Sequence, residues 1–116
     1  MNATGGANGN AETRRAHGDA AAKPAYVIGH VTVKNPQRWA EYRSKVPATL
    51  VEWGGELVLR GIRRAVWDGD HAHTDTVVLR FASLDAATNW HESAAYQALI
   101  PLRHEAADVD LIVFEG

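Results

Sequence analysis

The chain contains no cysteine among its 116 residues, which excludes disulfide bonds, thiolate catalysis and cysteine metal sites. No apolar stretch approaches the roughly 20 residues that a membrane-spanning helix requires. The formal net charge is −2 and both signs are interspersed along the chain, so neither a nucleic-acid surface nor a polybasic membrane anchor is indicated. We therefore expect a cytoplasmic protein that binds neither nucleic acid nor membrane.

Large apolar residues are also missing from the N-terminal end of the chain. Residues 1–24 contain no Leu, Ile, Val, Phe, Trp or Tyr and are rich in Gly, Asn and Ala. Such a segment cannot bury enough surface to offset its ordering entropy, so we expect a disordered tail over 1–24. The remaining residues, 25–116, have the length of one small globular domain.

Period-two alternation of side-chain character predicts four strands. Residues 25–33 and 77–81 alternate in this way and are rich in β-branched and aromatic side chains, and 111–114 form a last apolar strand. Residues 56–67 are predicted to form one long strand, in which Gly61 followed by Arg63 and Arg64 indicates a β-bulge. Residues 68–75 then form the turn into the third strand.

Two helical regions separate these strands. Asn35 and Pro36 are typical of a helix N-terminus, Pro47 should bend the helix, and Gly54 with Gly55 should end it. The apolar side chains between these signals recur at helical spacing: Trp39, Tyr42, Val46, Leu50 and Trp53.

The second helical region contains two capping signals. Ser83 predicts a helix that begins at Leu84, and Ser93 predicts a restart at a different angle. Pro101 predicts a kink or an early stop, because its ring nitrogen cannot donate a hydrogen bond to Gln97. The element order is then βαββαβ with the second helical region broken in two. This order favours an α+β fold with an antiparallel sheet and helices on one face.

A set of short motifs extends from about Ala25 to the end of the chain. They are Tyr26-Val27-Ile28, Pro47-Ala48-Thr49, Gly54-Gly55, Gly69-Asp70, WHESAAYQ at 90–97, and Arg103. Together they resemble the domain-of-unknown-function family DUF1330, within the dimeric α/β barrel superfamily of ferredoxin-like folds. The resemblance implies a ferredoxin-like domain over 25–116 that pairs into a dimeric barrel. The chain departs from the family pattern at Arg80, where an acidic residue is expected, and at Pro101, which interrupts a usually continuous helix.

The predicted strands are apolar on both sides, which implies burial of both faces of the sheet. Helices on one side can cover only one face. The other face would expose more apolar surface than the few hundred Å² that a monomer normally tolerates. We therefore expect a twofold homodimer with the two sheets face to face, as the resemblance also implies.

One stripe of polar side chains is the main candidate site. Ser93, Tyr96, Ile100 and Arg103 recur at spacings of three, four and three, which predicts a hydroxyl, a phenol and a guanidinium along one side of a helix. Such a group could bind a small acid, because a guanidinium pairs with a carboxylate and a phenol can handle a proton. The structural alternative is that Ser93 caps a helix, Tyr96 packs, and Arg103 serves the helix end.

Four further residues are candidates for the same pocket. His30 and Arg80 are polar positions on otherwise apolar strands, and His30 could act as a base near neutral pH. Alternatively, His30 is a satisfied core or interface residue and Arg80 pairs with a carboxylate such as Glu56. Tyr42 and Trp90 could form an aromatic wall, although helical spacing equally suits a core role.

No motif identifies a reaction. His71 and His73 lie between aspartates, but without a third histidine at helical spacing we expect no metal site. There is no phosphate-binding loop, no nucleophile elbow and no pair of catalytic carboxylates. Two classes of function remain open. In the first, implied by the superfamily, a small enzyme without a cofactor uses Tyr96 and His30 for proton transfer and Arg103 to hold an anionic group. In the second, the same pocket belongs to a non-catalytic binding or dimerisation module.

Overall fold

The computed structural model describes residues 23–116, so nearly all of the predicted tail lies outside the described residues. The four strands form one antiparallel sheet in the order β2-β3-β1-β4. The elements in chain order are β1 (Ala25–Val33), α1 (Pro36–Leu50), a 3₁₀ turn (Val51–Trp53), β2 (Glu56–Ile62), β3 (Asp75–Phe81), α2 (Leu84–Glu92), α3 (Ala94–Gln97), α4 (Ile100–Ala106) and β4 (Ala107–Glu115). The predicted α+β class and the ferredoxin-like βαββαβ order are confirmed.

The capping signals of α1 act as the sequence predicts. Asn35 Oδ1 accepts a hydrogen bond from the Arg38 N–H at 3.1 Å, and Pro36 occupies the first turn. Gly54 ends the 3₁₀ turn in the left-handed region with φ 68°, which costs other residues more than glycine. A Cβ at Gly55 would lie 2.7 Å from Phe81, so the second glycine lets the chain pass close to the sheet.

The second strand differs from its prediction. β2 ends at Ile62 rather than Trp67, and its register against β3 shifts between Leu57 and Leu59, not at Gly61. Gly61 pairs regularly with Thr76. Just after the strand, the Arg63 guanidinium donates to the carbonyls of His71 and His73 at 2.9 and 3.1 Å, and its backbone N–H donates to the Thr74 carbonyl at 2.7 Å. These bonds close residues 63–74 into a loop.

The second helical region has three segments rather than two. Ser83 Oγ accepts from the Ala86 N–H at 3.1 Å, and Ser93 begins a new helix as predicted. Of the kink or early stop predicted at Pro101, the structure shows the stop: α3 ends at Gln97, and Pro101 does not kink a helix. It lies in the first turn of α4, where a missing N–H breaks no intrahelical bond.

The sheet has one covered face and one open face. Val27, Leu79 and Phe81 are buried on the helix side, where they form the main core with Trp90 and Tyr96. Val31 is also buried there and forms a second, smaller cluster with Ala106 and Ala107. The open face carries the alternate residues, which are Tyr26, Ile28, Val78, Leu59, Ile112 and Phe114. Within the described residues, no helix has the length and apolar character needed to cross a membrane.

Candidate functional site

A cavity of about 250 Å³ lies between α1 and the helix side of the sheet. Its walls are mostly aliphatic and aromatic, with Val46 and Leu50 from α1 and Leu57, Val77 and Leu79 from the strands. Trp39 and Tyr42 stack at a ring-centroid distance of 5.2 Å along one side. A concave, mostly apolar space with few polar groups is the usual form of a small-molecule site.

A chain of three polar side chains ends at the wall of this cavity. The Arg103 guanidinium donates to the Tyr96 hydroxyl at 2.8 Å, and the Tyr96 and Tyr42 hydroxyls are 2.7 Å apart. Tyr96 is fully buried and Tyr42 nearly so. Tyr42 therefore connects the cavity to a guanidinium that lies behind Tyr96.

In this row of three side chains, the hydrogen-bond donors outnumber the acceptors. Arginine can only donate, so the Tyr96 oxygen accepts from Arg103. Only one of the two phenols can donate in the bond between Tyr96 and Tyr42. One phenol proton therefore has no acceptor among these three side chains. Both tyrosines border the cavity. The polar end of the cavity can donate a hydrogen bond to a ligand oxygen.

Burial keeps Tyr42 in its neutral form. Desolvation first, and the neighbouring Tyr96 hydroxyl next, raise the pKa of Tyr42 far above its usual range. A phenol with a raised pKa holds its proton at neutral pH. Tyr42 is therefore suited to polarise a carbonyl or carboxylate oxygen and is a poor general base.

Trp90 fixes the floor beneath the tyrosines. It is 1% exposed, its ring centroid lies 4.2 Å from that of Tyr96, and its indole N–H donates to the Thr49 hydroxyl at 3.0 Å. Thr49 in turn donates to the Val46 carbonyl at 2.7 Å. Every polar atom of this group is satisfied, so Trp90 contributes a rigid apolar surface.

Ser93 holds the helix ends together. Its hydroxyl accepts from the Tyr96 N–H at 3.2 Å and donates to the Trp90 carbonyl at 2.6 Å. Both bonds serve the junction between α2 and α3. Ser93 thus positions Tyr96 and Trp90, and its hydroxyl proton is already committed to protein.

His30 and Arg80 lie on the open face of the sheet, away from this cavity. His30 alternates with the buried Val31, and its Nδ1 lies 3.3 Å from the Thr76 hydroxyl. The Arg80 guanidinium lies 3.9 Å from a Glu56 carboxylate oxygen, which is the structural alternative considered for it. The structure brings together Tyr42, Trp90, Ser93, Tyr96 and Arg103, and separates His30 and Arg80 from them.

His73 bridges the 63–74 loop to the sheet. Its two ring nitrogens lie 2.9 Å from the Thr32 hydroxyl and 2.9 Å from an Asp110 carboxylate oxygen. His71 packs against His30 at a ring-centroid distance of 4.9 Å. In residues 23–116, no three His, Asp or Glu side chains are arranged to hold a metal ion.

Two charged cavity residues are absent from the sequence-based prediction, namely Arg43 and Arg60. Arg43 follows Trp39 by four positions, so helical spacing could have placed it beside the pocket. Arg60 could not have been placed, because the shift between Leu57 and Leu59 decides which face of β2 it occupies.

Comparison with known proteins assigns the family. Residues 24–116 match the model described as "Domain of unknown function (DUF1330)". The chain belongs to the DUF1330 family. No curated protein matches this DUF1330 chain.

Solved structures similar to this DUF1330 protein share its ferredoxin-like fold. RPA0582, a protein of unknown function from Rhodopseudomonas palustris, has 17% identity and a TM-score of 0.69 over 81% of this chain and 82% of its own. A dimeric ferredoxin-like protein of unknown function from Jannaschia sp. CCS1 has 12% identity and a TM-score of 0.65, over 80% and 99%. SnoaB, a cofactor-independent oxygenase from Streptomyces nogalater, has 12% identity and a TM-score of 0.61, over 82% and 94%. At these identities the likeness concerns the fold.

Proposed function

We propose that this DUF1330 protein binds a small organic molecule in the cavity between α1 and the sheet. The observation that carries the proposal is the unmatched phenol proton at the Tyr42–Tyr96 end of an otherwise apolar space of about 250 Å³. A buried donor without an acceptor is costly, so a ligand oxygen at that point would be stabilised. The ligand would place its apolar part against Trp39 and Leu79.

The same site supports chemistry without a cofactor. SnoaB, which has this fold, is a cofactor-independent oxygenase. In the present chain, the Tyr42–Tyr96–Arg103 chain would stabilise negative charge that develops on a bound carbonyl oxygen. His30 would take no part, because it lies on the opposite face. The alternative is a binding or dimerisation module that uses the pocket without turnover, which would leave the bound ligand unchanged.

We also propose that the working unit is a homodimer formed through the open face of the sheet. On that face Ile112 is 41% exposed, Leu59 48% and Phe114 52%, and these side chains lie on adjoining strands with Ile28 and Val78. A second copy would cover this surface with an identical one. The Jannaschia protein of the same fold is described as dimeric.

Titration calorimetry with 2-naphthamide, a neutral bicyclic probe with a carbonyl oxygen, tests the binding proposal. We expect one saturable site per chain. Tyr42→Phe should weaken binding by about tenfold or less, the usual worth of one neutral hydrogen bond. Leu57→Trp should weaken it further by filling the cavity.

Tyr26→Phe on the open face and Leu84→Trp on α2 are the matched controls and should leave the affinity unchanged. Absence of saturable binding to the unmodified protein would contradict the proposed function. Incubation of bound 2-naphthamide with air, followed by mass spectrometry of the ligand, would separate an oxygenase, which adds oxygen to it, from a binding module, which leaves it unchanged.

A further inference from the structure

The cavity has a charged mouth. Among residues 23–116, the charged side chains that line it are Arg43 from α1 and Arg60 from β2. The same two residues, with Arg64, line an adjoining open cleft of about 450 Å³. The apolar space and the cleft share this pair, together with Trp39 and Val77, so the two arginines lie where the two spaces adjoin.

The three arginines of the mouth and the cleft form no ion pair within the described residues. In residues 23–116, no carboxylate lies within ion-pair distance of Arg43, Arg60 or Arg64. The other basic residues of α1, Arg38 and Lys45, both pair with Glu41 at 3.1 and 3.2 Å.

One carboxylate, that of Asp75, lines the adjoining cleft and accepts a hydrogen bond from the Thr74 hydroxyl at 2.7 Å. It is beyond ion-pair distance of all three arginines. The cleft therefore carries three positive charges against one negative charge.

The two mouth arginines also disfavour each other. Desolvation first, and the positive charge of Arg43 next, lower the pKa of the Arg60 guanidinium. Both effects disfavour the charged form of Arg60. An anion between the two side chains would offset both effects.

We propose that the ligand is an organic acid whose apolar body fills the cavity and whose carboxylate is held at the mouth between Arg43 and Arg60. This inference rests on the proposed function and adds the chemical class of the ligand and its orientation. A guanidinium matches a carboxylate in shape and charge, and two of them can share one anion. The cavity volume limits the body to about the size of one or two fused rings.

The opposite orientation is less favourable on physical grounds. The tyrosine end offers one neutral donor. The Arg103 guanidinium does not line the cavity, and it donates its hydrogen bond to the Tyr96 oxygen while its charge acts on Tyr42 from behind. A carboxylate buried there would lose its hydration for a single phenol hydrogen bond. A neutral oxygen of the ligand, such as a carbonyl or hydroxyl, suits that end instead.

The test compares 2-naphthoate with 2-naphthamide, which has nearly the same shape without the charge, by calorimetric titration. We expect 2-naphthoate to bind about tenfold more tightly or better, and Arg43→Gln and Arg60→Gln each to cost about tenfold of that affinity, as charge-assisted bonds do. Binding of 2-naphthamide should change less than twofold in both variants. Arg38→Gln, the same charge change on the same helix, should leave both affinities unchanged.

Four outcomes separate the possibilities. The pattern above supports the inference. Equal affinity of the unmodified protein for the two probes would overturn it while leaving the proposed cavity function intact. Loss of 2-naphthoate binding in Tyr42→Phe alone, with both arginine variants unaffected, would also overturn it. If neither probe binds, the proposed function fails together with the inference. Far-ultraviolet circular dichroism checks that the arginine variants and Tyr42→Phe are folded.

Discussion

Tyr96 is the side chain on which the candidate site depends most directly. Its oxygen accepts a hydrogen bond from Arg103 and is hydrogen-bonded to the Tyr42 hydroxyl. Its backbone N–H donates to the Ser93 hydroxyl. Arg103 already has a buried Nε without a hydrogen-bond partner. Loss of the Tyr96 oxygen would therefore leave the part-buried Arg103 guanidinium with a second unsatisfied donor, whereas loss of the Tyr42 oxygen would leave the hydrogen bond of Arg103 in place.

This difference predicts an order of stabilities. Tyr96→Phe should lower the free energy of unfolding by about 2 kcal/mol or more, because a charged buried donor loses its acceptor. Tyr42→Phe should cost about 1 kcal/mol or less, the net worth of one neutral bond. Urea denaturation at one fixed protein concentration measures both, with Tyr26→Phe as the tyrosine control. A Tyr42→Phe variant less stable than Tyr96→Phe would contradict this account of the hydrogen bonds among Arg103, Tyr96 and Tyr42.

The spacing of residues predicted part of this arrangement. Tyr96 and Arg103 are seven positions apart, and the prediction of one helical side is met by a 2.8 Å contact even though the helix is interrupted between Gln97 and Ile100. The partner across the site, Tyr42, is 54 positions away. Periodicity within one element carries no information about such a contact, so its hydrogen bond to Tyr96 could be known only from the packed structure.

At the scale of elements, the junction between α2 and α3 sets the position of Tyr96. Ser93 has extended backbone angles, ends α2 and begins α3, and uses its hydroxyl for both helices. The break turns the chain so that the rings of Trp90 and Tyr96 pack against each other at a tilt of 38°. A continuous helix would place these two side chains six positions apart on different sides.

Substitution of this serine tests the junction. Ser93→Ala should lower the free energy of unfolding by about 1 to 2 kcal/mol, because a cap bond and a bond to the Trp90 carbonyl are lost together. It should also weaken 2-naphthamide binding, since Tyr96 loses its anchor. Ser83→Ala removes a cap at the other end of α2 and serves as the control. Its cost should be about 1 kcal/mol or less with unchanged affinity. Equal effects of the two variants on affinity would argue against a positioning role for Ser93.

The strands show where local patterns stop being informative. β1 has the predicted bounds, because its period-two pattern and the Lys34-Asn35-Pro36 signal both mark its end. β4 is nine residues long rather than four, since the polar residues Asp108 and Asp110 also pair along β1. The position of the bulge in β2 is set by pairing with β3, and it does not lie at the flexible Gly61. Pairing is a property of two strands, and a single segment does not encode it.

At the scale of the whole molecule, the open face of the sheet is the largest feature without a covering layer among the described residues. Its middle is apolar, with Ile28, Val78 and Ile112 on neighbouring strands, and its end at His30 and Asp110 is polar. An apolar centre with a polar rim is the usual anatomy of a protein interface. A face-to-face pair would hide the centre and leave the cavity mouths, which lie on the helix side, open to solvent.

A charged substitution at the centre of that face provides the test of the homodimer. Light scattering coupled to gel filtration should give the mass of two chains for the unmodified protein at high micromolar concentration. Ile112→Lys should raise the dissociation constant by about a hundredfold or more, because twofold symmetry would bury an unpaired lysine from each copy. Leu84→Lys on α2, where the leucine is 38% exposed against 41% for Ile112, should leave the mass unchanged. A single-chain mass for the unmodified protein would contradict the homodimer. The cavity and its arginine mouth are built within one chain, so the titrations would still test them.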